Sequence, residues 1–123
     1  MPRILIVDDS AVIRALVSRW LRGELDLVLD LHESGEKALV AALLAPPDAL
    51  ITDLNMPGMG GVGLARALRA LPGLAGLPIA IFGGDDEETR LALEASGAIA
   101  AIAKPFEAAG LIALIRRLLK PCP

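Results

Sequence analysis

The chain has 123 residues and a formal net charge of −3; 54% of it is hydrophobic but only 2% is aromatic. That is one domain's worth of chain, apolar enough to bury a core and far from the composition of disordered segments. The acidic balance and the scarcity of rings argue against direct nucleic-acid binding, which draws on clustered Lys and Arg or on stacking platforms, and no apolar run approaches the roughly 18 residues of a membrane span.

Arg3 to Val7 predicts a first strand, and its apolar run stops on Asp8-Asp9 after four residues, too soon for the core of a signal peptide. Ser10 is placed to cap a helix in which Ile13, Leu16, Val17 and Trp20 recur at helical spacing; Gly23 ends it. Leu25 to Glu33 alternates loosely and predicts a second strand. It carries the chain's only histidine, His32, which has no metal-spaced partner and reads as a partly buried structural residue. Ser34-Gly35 opens a second helix with Leu39, Val40, Leu43 and Leu44 expected on its inner face, and Pro46-Pro47 stops it. Asp48 to Thr52 predicts a third strand delivering Asp53, and Pro57, Gly58, Gly60 and Gly61 forbid its continuation. Leu64, Leu68 and Leu71 mark a third helix, closed by Pro72-Gly73, and Pro78 to Phe82 follows as a short fourth strand. Asp85 with Glu88 three residues on has the pattern of a capping box, opening a fourth helix that runs to Ser96 and ends at Gly97. Ile99 to Ala103 predicts the fifth strand, which delivers Lys104-Pro105. Phe106 to Lys120 predicts the last helix, with Leu111, Leu114, Ile115 and Leu118 inward. Cys122, alone between two prolines, has no disulfide partner and fits a reducing compartment.

Five alternations of strand and helix imply a parallel sheet with helices on both faces. Right-handed crossovers then bring every strand's carboxyl end to one edge, where open α/β sheets bind their ligands. Asp8, Asp9, Asp53 and Lys104 all stand at such ends. Taken singly, each has a bland role: Asp8-Asp9 as a helix cap, Asp53 as a turn former, Lys104 as a solvated surface lysine. Their joint placement points to chemistry. Three close carboxylates repel unless one is protonated or a cation settles among them, and hard oxygen ligands favour Mg²⁺. A carboxylate beside Mg²⁺ can attack a phosphoryl group and become an aspartyl-phosphate, with a lysine holding the phosphoryl oxygens. The stretch Gly58 to Gly63 matches G-x-G-x-x-G but follows the third strand instead of opening the first crossover, so it does not read as a dinucleotide site.

Three segments carry a family resemblance: Val7-Asp8-Asp9-Ser10, Asp53-Leu54-Asn55-Met56-Pro57-Gly58-Met59-Gly60-Gly61 and Lys104-Pro105-Phe106. In order and spacing they resemble the receiver domain of two-component response regulators, over essentially the whole span 1–123. The resemblance implies a flavodoxin-like (βα)5 doubly wound sheet, three layers deep, with strand order 2-1-3-4-5. It implies that Asp53 is the phosphoacceptor and that Lys104 contacts the phosphoryl group. It further implies that Asp9, Asp53 and the backbone carbonyl of Asn55 ligate Mg²⁺, with Asp8 acting through bound water, and that Pro105 follows a cis peptide bond. The donor would be a phosphohistidine on a histidine kinase or phosphotransfer protein, and the domain a cytoplasmic signalling module, not an enzyme in its own right. An output protein or domain would dock on the face over 99–118.

Two positions depart from the family pattern. Gly83 stands where members usually carry Thr or Ser, and Ala101 where they usually carry an aromatic ring. The resemblance then implies that phosphorylation moves 53–61 and 83–88 more than 99–118, and that Gly83→Thr with Ala101→Tyr would enlarge the response. The rival reading is a receiver-fold interaction module with atypical or lost phospho-switching.

Overall fold

The computed structural model describes residues 1–23 and 26–120. Five strands, β1 (Arg3–Val7), β2 (Val28–His32), β3 (Ala49–Asp53), β4 (Ile79–Phe82) and β5 (Ala100–Ile102), alternate with five helices, α1 (Ala11–Leu21), α2 (Gly35–Leu44), α3 (Gly61–Arg69), α4 (Glu87–Ser96) and α5 (Ala108–Leu119). The strands form one sheet in the order β2-β1-β3-β4-β5, all neighbours parallel. The β1, β3 and β4 strands are buried on both faces and so read as continuous apolar runs, as interior parallel strands do. The edge strands β2 and β5 are shorter or more polar and only partly buried.

Alternation along the interior strands divides the core in two. Ile4, Ile6, Ile51, Ala80 and Phe82 pack with Val17 and Leu21 of α1 and with Leu111, Leu114, Ile115 and Leu118 of α5. Leu5, Val7, Leu50 and Ile79 pack on the other face with Ala38 and Ala42 of α2 and Leu64, Ala65 and Leu68 of α3. Register pairs Val7 with Thr52 and Asp53 with Phe82, so the residues just past β1, β3 and β4 share one edge.

Most helix ends fall where the capping residues stand. Ser10 Oγ accepts from Ile13 N–H at 3.3 Å and Ser34 Oγ from Lys37 N–H at 3.2 Å. Gly97 closes α4 in the left-handed region at φ 72°. Two expectations are corrected. The cap of α4 is Asp86, whose Oδ1 accepts from Thr89 N–H at 2.7 Å, one residue later than the Asp85–Glu88 pattern; Glu88 reaches across to Asn55 instead. The inner face of α2 is Gly35, Ala38 and Ala42, while Val40, Leu43 and Leu44 are 58%, 62% and 83% exposed. Nearly every residue of α2 is apolar, so periodicity did not single out a face. The small residues won because they let the helix approach closely: a Cβ on Gly35 would already lie 3.1 Å from Met59. The second strand starts at Val28; Leu25, from which it was expected to run, lies outside the described residues, as does Cys122.

Candidate functional site

The carboxyl edge of the sheet gathers Asp8, Asp9, Asp53 and Lys104. Asp8 follows β1 directly and is fully buried. Its Oδ1 accepts from Ser10 N–H at 2.9 Å, which fixes the carboxylate against the start of α1, and Arg14 holds the Asp8 carbonyl at 2.7 Å. Its Oδ2 has no aligned hydrogen-bond donor and faces the Lys104 ammonium at 2.6 Å as an ion pair. Asp9 is exposed. Asp53 closes β3 with its side chain 16% exposed; Oδ1 accepts from Leu54 N–H at 2.9 Å and Oδ2 from Lys104 Nζ at 3.3 Å. One oxygen from each of Asp8, Asp9 and Asp53 lies within 4.8 Å of the others.

The electrostatics follow from that crowding. Burial first, then the neighbouring Asp8 charge, pushes the Asp53 carboxyl above its ordinary value, and Lys104 and the Leu54 N–H offset this only in part. Burial works against the Lys104 ammonium, but Asp8 and Asp53 outweigh it and hold its pKa above the usual lysine value. The folded chain therefore binds the Asp53 proton more tightly than the unfolded chain does. The resulting stability is present below the ordinary carboxylate pKa and is lost as pH rises through the raised value. Asp53→Asn, permanently neutral, is accordingly expected to melt higher than the parent at neutral pH without metal. Thermal melts of both proteins at pH 4 and pH 7 check this, and the gap should widen toward pH 7.

Several features of the site were not visible in the sequence. The chain's one Trp and two Phe residues form a single line. Phe106 stacks on Phe82 at 5.2 Å, Trp20 meets Phe106 edge-on at 5.8 Å, and Lys104 Nζ lies 5.3 Å over the Phe82 ring. Phe82 thus aims the ammonium by a cation–π contact as well as by packing. The Lys104–Pro105 peptide, by contrast, is cis as the resemblance implied. Asn55 is exposed, and its side chain donates to Glu88 Oε1 at 2.8 Å, not to the acidic cluster; only its backbone carbonyl is left for the ligand role expected of it. His32 sits apart on β2, paired with Asp30 at 2.7 Å.

Glycine decides two approaches. Gly61 N–H donates to Leu54 O at 3.0 Å, and a Cβ there would fall inside contact distance of the Asp53 carbonyl oxygen. A Cβ on Gly83 would lie 2.6 Å from Thr89 Oγ1 and 2.9 Å from Thr89 Cγ2. The room for a side chain at 83 is already taken, so Gly83→Thr is not a simple restoration.

The comparisons with known proteins agree with this geometry. The family model for the response regulator receiver domain matches residues 4–116. This chain belongs to that family. It is therefore a signalling domain of two-component systems, built on the fold of chemotaxis-type regulators. It is 38% identical to the DNA-binding response regulator MtrA of Mycobacterium tuberculosis over 96% of this chain and 50% of that protein. It is 34% identical to the transcriptional regulatory protein PrrA of Mycobacterium leprae, again over 50% of that protein, so the receiver sequence spans about half the length of these relatives. Among solved structures, the chemotaxis protein CheY4 of Vibrio cholerae superposes with a TM-score of 0.89 at 32% identity, covering 97% of this chain and 99% of that one. The receiver domain of the sensor histidine kinase PA1611 from Pseudomonas aeruginosa superposes with a TM-score of 0.85 at 26% identity, over 96% and 97% of the two chains. That structure has a magnesium ion in its active site cleft. No helix among the described residues of the present chain is long and apolar enough to cross a membrane.

Proposed function

We propose that this receiver domain, spanning 1–123, takes a phosphoryl group onto Asp53 from a phosphohistidine on a histidine kinase or phosphotransfer protein. The observation that carries the reading is the cluster itself: three carboxylates within 4.8 Å of one another and an ammonium 3.3 Å from the third. The donor set suits Mg²⁺, being all oxygen and partly dry, with the buried Asp8 Oδ2 lacking a hydrogen-bond donor. Asp9, Asp53 and the Asn55 carbonyl would hold the ion, with Asp8 acting through water. An ion held there would supply positive charge to offset that of the phosphoryl oxygens.

The chain's own residues do the rest. An Asp53 carboxylate oxygen bonds to phosphorus as the P–N bond to the donor imidazole breaks, and the bonding pair leaves on the imidazole nitrogen. Lys104, aimed by Phe82, moves from pairing Asp53 to pairing the new phosphoryl group. The chain acts as acceptor, assisting its own transfer and hydrolysis, and with such a donor it works in the cytoplasm. The output partner engages the face over 99–118, formed by β5 and α5 with α4 beside them.

Intact mass after incubation with Mg²⁺ and a small phosphodonor tests the assignment. One phosphoryl group is expected on the parent and on His32→Ala, and none on Asp53→Asn; a shift that persists in Asp53→Asn would move the acceptor elsewhere. Mg²⁺ at millimolar concentration should raise the melting temperature of the parent. If Asp9→Asn melts like the parent both with and without Mg²⁺, the cluster is not a metal site.

A second reading, an interaction module without phospho-switching, is favoured by Ala101. That residue is exposed on the edge strand and borders a cleft of about 410 Å³ with Thr89 and Leu93. Amide shifts on adding beryllofluoride separate the two readings: the module would show changes at 53–61 and none in α4, β5 or α5.

A further inference from the structure

The phosphoryl group brings three strong acceptor oxygens to Asp53, and Lys104 is the cation already paired to that residue. Hydroxyl donors are the natural supplement, and the described residues nearby offer three. Thr52 Oγ1 is committed to the Asp53 carbonyl oxygen at 2.9 Å. Ser10 Oγ caps α1. The third is Thr89, in the first turn of α4, which is 3% exposed.

Thr89 does not belong to the sheet, yet its side chain fills the volume that a side chain on residue 83 would occupy. A Cβ on Gly83 would lie 2.6 Å from Thr89 Oγ1 and 2.9 Å from its Cγ2. Gly83 comes directly after Phe82, the register partner of Asp53. The hydroxyl therefore stands at the end of β4, beside the strand that presents the acceptor. A second contact ties the same turn of α4 to the acceptor loop: Asn55 Nδ2 donates to Glu88 Oε1 at 2.8 Å, and Glu88 precedes Thr89. In the resting state Asp86 Oδ1 accepts from the Thr89 N–H at 2.7 Å, and hydrogen bonding to Thr89 holds Asp86 below the ordinary carboxylate range.

We propose that the Thr89 hydroxyl, brought in from α4, donates to a phosphoryl oxygen on Asp53 the hydrogen bond that residue 83 has no side chain to make. The inference rests on Asp53 being the acceptor. Gly83 and Thr89 are then one device: the glycine clears the space that the threonine enters from the helix. The hydroxyl turns to the phosphoryl oxygen while the Thr89 N–H keeps the helix cap on Asp86. Phosphorylation is thereby read by α4 directly, with no ring on β5 required. This also explains why Gly83→Thr alone would hinder the site: two side chains would contend for one volume.

The test is the affinity for beryllofluoride at saturating Mg²⁺, followed by amide shifts of residues 53–61, in the parent, Thr89→Ser, Thr89→Val and the double variant Gly83→Ser with Thr89→Ala. Thr89→Val keeps the shape and loses the donor, so it should bind about tenfold more weakly. Thr89→Ser should stay within about threefold of the parent. The double variant moves the hydroxyl onto the strand and should regain most of the lost affinity. Mg²⁺ affinity without beryllofluoride should be the same in all four, since Thr89 does not touch the acidic cluster. Thr89→Val binding as tightly as the parent, or Thr89→Ser binding as weakly as Thr89→Val, overturns the role of the hydroxyl. If Thr89→Val does not fold, Thr89→Ser and the double variant decide, and a double variant that stays weak counts against the proposal. A parent that fails to bind beryllofluoride, or binds it equally well as Asp53→Asn, overturns the acceptor reading and the inference with it.

Discussion

Gly61→Ala should cost about 3 kcal/mol of stability and slow phosphorylation of Asp53 severely. The added Cβ would meet the Asp53 carbonyl oxygen inside contact distance, with the Asp53 carbonyl carbon and Leu54 Cα at 3.2 Å. Overpacking against a flexible side chain is relieved by a rotamer change. Here the obstacle is backbone, and it is the backbone of the proposed acceptor, Asp53. Relief requires α3 to back away from β3, which breaks the Gly61 N–H bond to Leu54 O and swings the loop carrying Asn55. Stability and chemistry should therefore fall together. Urea unfolding followed by Trp20 fluorescence gives the first and intact mass against time gives the second. Gly76→Ala is the control, since a Cβ there meets nothing within 4 Å and should change neither. A loss below about 1 kcal/mol with normal phosphorylation would show that α3 can shift without disturbing the acceptor.

Lys104→Met should destabilise the metal-free protein at neutral pH by about 2–3 kcal/mol, and Mg²⁺ should restore most of the loss. Removing one partner of a buried ion pair leaves the other charge uncompensated, an effect of about 3–5 kcal/mol when both are enclosed. The Lys104 side chain is 31% exposed, so solvent screens part of this and the lower figure applies. What remains is Asp8, fully buried, with its Oδ2 facing no cation, beside an Asp53 whose proton affinity is already raised. Methionine keeps the packing over Phe82, so the change isolates charge. The variant should bind Mg²⁺ more tightly than the parent, because the ion then relieves more repulsion, while beryllofluoride binds more weakly for want of the ammonium. Melts across a Mg²⁺ titration read the first two effects. A Mg²⁺-induced shift smaller than the parent's would mean that Lys104 and the metal do not answer the same charge.

Much of the site was legible because the signals were local. Apolar runs that stop on Asp8-Asp9, on Asp53 and on Lys104 each announce a strand end, and alternation with helices turns three separate ends into one edge. The helix faces of α1, α3 and α5 were legible too, because Leu64 and Leu68, or Leu111, Leu114, Ile115 and Leu118, contrast with charged neighbours such as Arg66, Arg116 and Arg117. No such contrast exists in α2, where Ala and Leu compete for the inside and close approach favours Ala. The cap of α4 slipped by one residue because Asp85 and Asp86 are both able caps and local pattern does not choose between them; in the fold Asp86 caps and Glu88 pairs with Asn55.

The amino-acid sequence by itself determined a parallel α/β fold with three carboxylates and a lysine at its strand ends, and three motif segments carried the resemblance to receiver domains. Strand period, turn residues and crossover handedness are properties of short segments, and they suffice for the fold and for those strand ends. Only the tertiary structure decided how those groups are arranged. It buried Asp8 and left Asp9 exposed, it set Lys104 between two carboxylates and over Phe82, and it placed the Thr89 hydroxyl in the space beside Gly83. Each of these depends on contacts between residues far apart in the chain. Burial and interatomic distance, which set charge and hydrogen bonding, exist only once the helices have packed on the sheet.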